Sequence, residues 1–138
     1  MEQWMYNYLK KGKKNKYGNR KVEVDGYLFD SKREAARWHE LLILLKAKQI
    51  SELQRQVRFP LIPSRHYGKE CVHACFYIAD FVYEEKGNRI AEDCKGYPTA
   101  EYTIKKKLFL EKYVNTGEFI FFENGKLKKY YKKNEKSC

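Results

Sequence analysis

The fold is decided by one stretch of the sequence, YIADFVYEEKGNRIAEDCKG at residues 77–96. Aromatic and β-branched residues fill its first half, and a turn signal, KGN at residues 86–88, separates them from RIAEDCK at residues 89–95. This pattern predicts an antiparallel hairpin. Its first strand belongs to a longer run, residues 71–85, and its second returns over residues 89–95. The other elements are placed outward from this hairpin.

A carboxylate lies in the middle of the first strand. Asp80 interrupts an apolar run, and strict alternation would put it on the face of Phe76, Ile78 and Val82. A buried carboxylate costs several kcal/mol unless it is paired or binds a metal ion. Asp80 is therefore expected to have a partner.

The second strand offers that partner. Asp93 and Lys95 are two residues apart and project from one face, and the short turn brings them towards Asp80. Two carboxylates bind a hard cation such as Mg²⁺, and a neighbouring lysine can hold a water molecule or stabilise charge on a phosphate. Alternation sends Glu92 to the opposite face, which favours Asp93. The alternative is structural: an Asp93–Lys95 ion pair, with Asp80 satisfied by a hydrogen bond.

The rest of the chain has a regular order. Ser31 and Glu34 form a capping-box pattern that begins a helix. Pro60 argues for an edge or a bulge in its strand, and Thr99 is expected to be the N-cap of a second helix. The predicted elements are a hairpin over residues 21–29, a helix over 32–48 with Ala35, Trp38, Leu41, Leu42 and Leu45 on its buried face, a strand over 53–61, a loop over 62–69, a helix over 99–114 and a strand over 118–123. From Ser31 onward the predicted order is α-β-β-β-α-β, in one domain.

The charge points to a polyanionic partner. Lys and Arg outnumber Asp and Glu by 29 to 18, giving a net charge of +11. Neutralising phosphates releases counterions, so nucleic acid is the expected partner. The predicted organisation is a basic N-terminal arm over residues 1–20, a domain over 21–123 and a basic tail over 124–138, whose lysines are expected to contact the nucleic-acid backbone. No apolar run approaches the roughly 20 residues of a membrane span, and no signal-peptide pattern is present, so we expect a cytoplasmic protein.

The cysteines suggest neither a disulfide framework nor a zinc site. Cys71 and Cys75 are too far apart on one extended strand to be bridged, and free thiols are expected. Cys71, His73 and Cys75 alternate along that strand, with His66 nearby. Zinc ligands are usually paired on turns, so this alternative is disfavoured.

Four segments carry a resemblance to a known family: KYGNRKVEVDGYLFDSKREA, LQRQVRFPLIP, YIADFVYEEKGNRIAEDCKG and TAEYTIKKKLF. From residue 16 to about residue 122 the chain resembles phage and prophage proteins of unknown function assigned to the PD-(D/E)XK nuclease superfamily. Ala79 stands where the superfamily pattern has proline. The resemblance implies an α/β fold with a restriction-endonuclease-like αβββαβ core, a mixed sheet flanked by helices.

The resemblance also implies a site and an activity. The catalytic residues would be Asp80, Asp93, Lys95 and Glu34. Mg²⁺, replaceable by Mn²⁺, would be bound by Asp80, Asp93, Glu34 and the backbone carbonyl of Cys94. From the residues alone, Glu34 could equally serve only the capping box. The implied function is a metal-dependent DNA endonuclease, related distantly to Holliday-junction resolvases and selective for branched or junction DNA in phage recombination or processing. It would act in the cytoplasm of a bacterial host, and junction cleavage would require a homodimer.

Two other functions stay open, a non-catalytic DNA-binding protein and a nuclease subunit active only in a larger complex. The second helix and the arm supply most candidates for DNA contact. For Gln56 and the helix lysines, an ordinary solvent-exposed role is the alternative. The candidates are Lys13, Lys14, Lys16, Arg20, Gln56, Lys105 and Lys106.

Overall fold

The computed structural model describes residues 21–24, 26–95, 97–125 and 128–133. The chain divides into two compact units, Met1–Ile50 and Ser51–Cys138. The predicted DNA-contacting residues of the arm lie outside the described residues: Lys13, Lys14, Lys16 and Arg20.

The first unit contains the predicted hairpin and helix. Strands β1 (Val22–Val24) and β2 (Tyr27–Phe29) pair antiparallel, and helix α1 (Lys32–Lys46) follows. The N-cap prediction is confirmed, because the Ser31 hydroxyl accepts a hydrogen bond from the Glu34 N–H at 3.1 Å. Phe29 and Ala35 are core residues of this unit, whereas Leu45 is 37% exposed, so its predicted place on the buried face is wrong.

The second unit is built on a mixed sheet. Its strand order is β3-β6-β7-β8-β9, and every neighbouring pair is antiparallel except β7 and β8. A parallel pair needs a crossover, which a helix provides here. The α/β class and the mixed sheet are therefore confirmed. The elements of this unit are β3 (Ser51–Ile62), β4 (Arg65–Tyr67), β5 (Glu70–Val72), β6 (Cys75–Glu85), β7 (Asn88–Asp93), α2 (Ala100–Phe109) with a π-helical segment (Leu110–Val114), β8 (Ile120–Glu123) and β9 (Lys128–Tyr130).

Helix α2 packs on the sheet through aromatic rings. Phe109 is fully buried, and its ring centroid lies 5.0 Å from those of Phe59 and Tyr77 and 5.6 Å from that of Phe121. Aromatic pairs at these separations add to the free energy gained by burying their area. The helix is thereby held over the strands that carry the candidate site.

Strict alternation breaks in β6, next to Asp80. Tyr77, Ala79 and Val82 belong to one buried cluster, while Ile78 is 47% exposed. The predicted common face for Ile78, Asp80 and Val82 is therefore wrong. Across from Asp80, Gln56 has a φ of 51°, a left-handed conformation that is unfavourable for a residue other than glycine. The left-handed residue and the change of buried face thus lie opposite each other on neighbouring strands.

Residues 62–75 fold differently from the prediction. The predicted loop and the start of the predicted long strand form a two-stranded ribbon, β4 and β5, whose six residues are all exposed. The chain leaves β5 at Val72 and enters β6 only at Cys75, so Cys71 and Cys75 do not share one straight strand. The alternation weighed for zinc is therefore absent. Within the described residues the cysteines form no disulfide.

Both edges of the five-stranded sheet bear on the predictions. Strand β3 is one edge strand, and its register shifts between Pro60 and Ile62, as Pro60 predicted. The other edge strand is β9, which lies within the segment predicted as a basic tail. Neither helix of the described chain is long and apolar enough to span a membrane.

Replacing Phe109 tests the helix–sheet core. Phe109→Ala should lower the free energy of unfolding by about 3–5 kcal/mol, because it leaves a cavity among five aromatic rings. Leu108→Ala is the control, since Leu108 is adjacent on the helix but 36% exposed, and its cost should be about 1 kcal/mol or less. Urea denaturation measures both. Equal losses would contradict this account of the core.

Candidate functional site

The site lies where β7 ends beside β6. The register pairs Phe81 with Glu92, which sets Asp80 next to Asp93. Strand β7 ends at Asp93, and the chain then leaves the sheet through Cys94 and Lys95. Asp80 is 8% exposed and Asp93 is fully buried. The structure therefore brings Asp80, Asp93 and Lys95 together. The strand register places the two acids side by side, and Lys95 forms an ion pair with Asp93.

The two carboxylates are fixed by different donors. Asp80 accepts hydrogen bonds from the Cys94 N–H at 2.8 Å and from Gln56 Nε2 at 3.4 Å. Asp93 Oδ2 accepts a hydrogen bond from the hydroxyl of Tyr77. Asp93 Oδ1 is buried and accepts no hydrogen bond from the described residues. Lys95 Nζ lies 3.6 Å from this oxygen.

This environment disfavours negative charge on Asp93. Burial and then the charge of Asp80 raise the pKa of the Asp93 carboxyl well above its usual value, against the opposing effect of Lys95. Burial, followed by the charge of Asp93, also raises the pKa of the Tyr77 hydroxyl, which therefore remains a hydrogen-bond donor. Ionisation of Asp93 is therefore opposed by its surroundings unless a further positive charge is bound beside it.

Lys95 is held through its backbone by Asn124. The Asn124 side chain accepts from the Lys95 N–H at 2.9 Å and donates to the Lys95 carbonyl at 3.0 Å. Asn124 has a φ of 55°, a conformation that asparagine tolerates better than most residues. Asn124 is not among the site residues predicted from the sequence, although an Asn-Gly pair at the end of a strand predicts a turn there.

A third buried acid, Glu123, lies at the same end of the sheet as Asp80 and Asp93. It pairs with Asp93 in the parallel register of β7 and β8. Glu123 Oε2 accepts hydrogen bonds from the Tyr102 hydroxyl and, at 3.0 Å, from Lys106 Nζ. The Tyr102 ring in turn lies 4.9 Å from Lys95 Nζ. The sequence analysis missed Glu123 and Tyr102, although the carboxyl ends of parallel strands share one edge of a sheet.

A cavity of about 260 Å³ opens beside these groups. Asp93, Lys95 and Tyr102 line it together with Thr99 and Lys105 of the α2 N-terminal region. Thr99 is the N-cap of α2, as predicted, and accepts a hydrogen bond from the Tyr102 N–H at 3.1 Å. The cavity therefore combines buried carboxylate oxygen with two ammonium groups.

The donors present fit a magnesium ion. Among the described residues, no three His, Cys, Asp or Glu side chains gather into a ligand set, so the protein offers two carboxylates here. Mg²⁺ prefers oxygen ligands, keeps several of its water molecules and is often bound by one or two carboxylates. The buried Asp93 Oδ1, which lacks a hydrogen bond from the described residues, is an oxygen such an ion would satisfy.

Glu34 and Cys94 have defined local contacts. Glu34 belongs to the first unit, where it is buried and its Oε2 accepts from the Asp30 N–H at 3.1 Å. The Ser31 half of the capping box is thus confirmed, whereas the Glu34 carboxylate accepts from the residue before the N-cap. The metal-binding role of Glu34 stays a prediction. Cys94 contributes its N–H to Asp80, and the role assigned to its carbonyl also stays a prediction.

The other candidates are distributed around the site. Gln56 contacts Asp80, and Lys105 lines the cavity and forms an ion pair with Glu101 at 2.9 Å. Lys106 is engaged inside the protein with Glu123. Glu92, the competing acid, is fully buried and accepts from the Tyr83 hydroxyl at 2.9 Å, so its hydrogen bond is separate from those of Asp93.

The sequence matches the family described as "Protein of unknown function (DUF1064)" over residues 14–130. Because this match covers most of the chain, the chain belongs to that family. Neither a curated protein nor a solved structure matches it.

Glu123→Gln should reduce the acid sensitivity of folding. Burial raises the pKa of Glu123, but hydrogen bonds from Tyr102 and Lys106 outweigh it and hold that pKa below its usual value of 4.5. A group with a lowered folded-state pKa stabilises the protein above its unfolded pKa, and this contribution is lost as the pH falls through the folded pKa. The free energy of unfolding should therefore decrease less steeply in Glu123→Gln than in wild type below about pH 4.5.

Urea denaturation at a series of pH values measures this difference. Glu118→Gln is the control, because Glu118 is an exposed acid whose ion pair with Arg89, at 3.4 Å, is screened by solvent. Identical slopes for wild type and Glu123→Gln would contradict the assigned role of Glu123.

Proposed function

We propose that this member of a family of unknown function is a metal-dependent nuclease that hydrolyses phosphodiester bonds in DNA. The observation that carries the proposal is the buried Asp80–Asp93 pair, in which Asp93 Oδ1 has no hydrogen bond from the described residues and Lys95 Nζ lies 3.6 Å away. The chain order α1, β3, β6, β7, α2, β8 supports a restriction-endonuclease-like core of the PD-(D/E)XK type.

The two carboxylates, Lys95 and Asn124 have three separate tasks in this proposal. Asp80 and Asp93 would hold Mg²⁺, with their orientations fixed by the Cys94 N–H and the Tyr77 hydroxyl. When bound, the ion would polarise a phosphate oxygen and lower the pKa of a water molecule. Lys95 orients the attacking water or stabilises negative charge that develops on the phosphate. Asn124 fixes the backbone from which Lys95 projects.

The cavity supplies room for the phosphate. Lys95 and Lys105 both line it, which favours a phosphodiester over a neutral substrate. Lys105 is paired with Glu101, whose side chain is 75% exposed. Solvent screens an exposed pair of this kind, so Lys105 can exchange Glu101 for a phosphate at small cost.

The charge and the resemblance favour DNA in a phage context. The protein's net charge of +11 favours binding to a polyanion. Its sequence resembles those of phage and prophage proteins. Branched or junction DNA is the proposed substrate, and resolution of a junction by paired cuts would require a homodimer. A binding protein without activity and a subunit that needs a larger complex are the other outcomes of the test below.

Conservative changes at the carboxylates should abolish cleavage while binding is kept. Asp80→Asn and Asp93→Asn preserve the shape of the side chain. Lys95→Ala removes the ammonium group together with the side chain beyond Cβ. Each should lower the cleavage rate by about a hundredfold or more, because each removes charge acting on the reacting phosphate. The measurement is cleavage of labelled duplex, single strand, flap and four-way junction with Mg²⁺, Mn²⁺ or EDTA. Glu92→Gln is the matched control, since Glu92 is an equally buried neighbouring acid with its own hydrogen bond from Tyr83.

Undiminished cutting by Asp93→Asn would eliminate the proposed site. Binding without cutting by the wild type would favour the binding protein or the partner-dependent subunit. Glu34→Gln tests the separate prediction for Glu34. Glutamine keeps an acceptor for the Asp30 N–H, so a lower rate would not come from loss of the cap.

Metal binding can be detected without DNA. Mg²⁺ should raise the melting temperature of the wild type, by the equivalent of about 2.7 kcal/mol at a hundredfold excess over Kd. Asp93→Asn should abolish this shift. In EDTA the same variant should melt above the wild type, because it removes a buried charge that Asp80 repels. Differential scanning fluorimetry measures both effects, and a full Mg²⁺ shift in Asp93→Asn, with Glu92→Gln as control, would contradict the proposed ligands.

A further inference from the structure

A second recess involves helix α2 and is distinct from the cavity of the candidate site. It has a volume of about 490 Å³ and runs between the C-terminal part of this helix and strand β9. Lys107, Leu110 and Glu111 line it from the helix, whereas Glu101 and Lys105 line the cavity of the candidate site. We call this recess the lysine groove, and it shares no lining residue with that cavity.

The lysine groove is strongly cationic. Its lining includes Lys107, Lys129, Lys132 and Lys133, and its acidic residue is Glu111. Within the described part of the chain, these four ammonium groups form no ion pair. Like charges gathered in one recess repel each other, and an anionic ligand would remove that repulsion. The charge of the groove therefore fits a polyanion.

Aromatic rings lie between the lysines. Tyr131 is 50% exposed, and Lys129 Nζ lies 5.3 Å from its ring centroid. Tyr130 lines the same groove and packs on Phe121 at 5.7 Å. One ring is thus anchored to the core, and the other presents much of its surface to solvent. Leu110 and Val114 add apolar surface from the π-helical segment.

We propose that the lysine groove binds a single-stranded segment of nucleic acid, with phosphates on the lysines and a base stacked on Tyr131. Cationic grooves with exposed aromatic side chains are the usual means of holding single strands. Duplex DNA would use the lysines but not the ring, because its bases are already stacked inside the helix. The groove would extend the proposed function by holding an unpaired strand of a branched substrate, but its binding activity does not depend on cleavage.

Charge removal tests the lysines. The groove variant replaces Lys129, Lys132 and Lys133 with glutamine, and the control variant replaces three exposed lysines elsewhere, Lys46, Lys69 and Lys86. Both remove three positive charges from the full chain. Binding of fluorescein-labelled oligothymidylate is measured in EDTA by anisotropy over a range of salt concentrations.

The logarithm of the association constant falls as the logarithm of the salt concentration rises, and the groove variant should make this slope less steep by about 2. Each phosphate contact with a single strand contributes about 0.7 to its steepness. The control variant should keep the wild-type slope. Circular dichroism and melting curves show that both variants are folded. Equal slopes for the two variants would overturn the proposal.

Ring removal tests the stacking. Tyr131→Ala should weaken oligothymidylate binding about fivefold to a hundredfold, while Tyr131→Phe keeps the ring and should bind like wild type. Duplex binding should be unchanged in both variants. An equal loss of duplex and single-strand binding in Tyr131→Ala would overturn the single-strand assignment. All of these measurements are made without metal, so failure of the nuclease proposal would not affect them.

Discussion

Two carboxylates that approach each other in a buried position repel, and the residues around Asp80 and Asp93 reduce this repulsion without removing it. The Cys94 N–H, Gln56 and the Tyr77 hydroxyl each donate one hydrogen bond. Among the described residues Asp93 Oδ1 accepts no hydrogen bond, and Lys95 Nζ lies 3.6 Å away. The conformation of the chain after β7 follows from this constraint, because Cys94 and Lys95 must leave the sheet to supply a donor and a cation.

The sheet topology makes such an arrangement possible. Strand β7 runs parallel to β8, so the chain following each strand emerges at the same edge. Asn124, directly after β8, can therefore hold the backbone of Lys95, directly after β7. The crossover helix α2 lies between these two strands in sequence, and Tyr102 links its first turn to Glu123 and to Lys95. Charge, backbone and ring contacts thus all converge on one lysine.

The central part of the site could be predicted because its signal is local. Asp80, the turn at residues 86–88, Asp93 and Lys95 lie within one short hairpin, and pairing over a short turn is read from spacing alone. The hydrogen-bond partners of this lysine and of Glu123 could not be predicted in the same way. Asn124 and Tyr102 are brought to them by a parallel register, which spacing does not specify.

The failures of prediction have local physical causes. The break in alternation at Asp80 accompanies a left-handed backbone at Gln56, on a different strand. A glutamine in the sequence does not predict that conformation. The ribbon β4–β5 was divided between a predicted loop and a predicted strand, since its residues have mixed polarity and no alternating buried face. Leu45 is exposed because α1 has a narrower buried face than its leucines suggested.

Helix α2 contributes residues to two environments of different chemistry. The carboxylates, Lys95 and the cavity are suited to a phosphate and a hard cation. The lysine groove has exposed cations and a ring but one acid, Glu111, in its lining. The same helix therefore provides both a rigid support for the site and one wall of a surface that can hold a neighbouring part of the same polymer.

The ribbon β4–β5 has a consequence for how such proteins diversify. All six of its residues are exposed, so substitutions there remove little buried surface. Its turn at Gly68 projects no side chain into the protein, and turns of this kind tolerate insertions. Evolution can therefore lengthen or recode the strands of this ribbon at little cost in buried surface while the acids and the sheet remain unchanged. Gly68 itself, with a φ of 62°, is constrained to glycine.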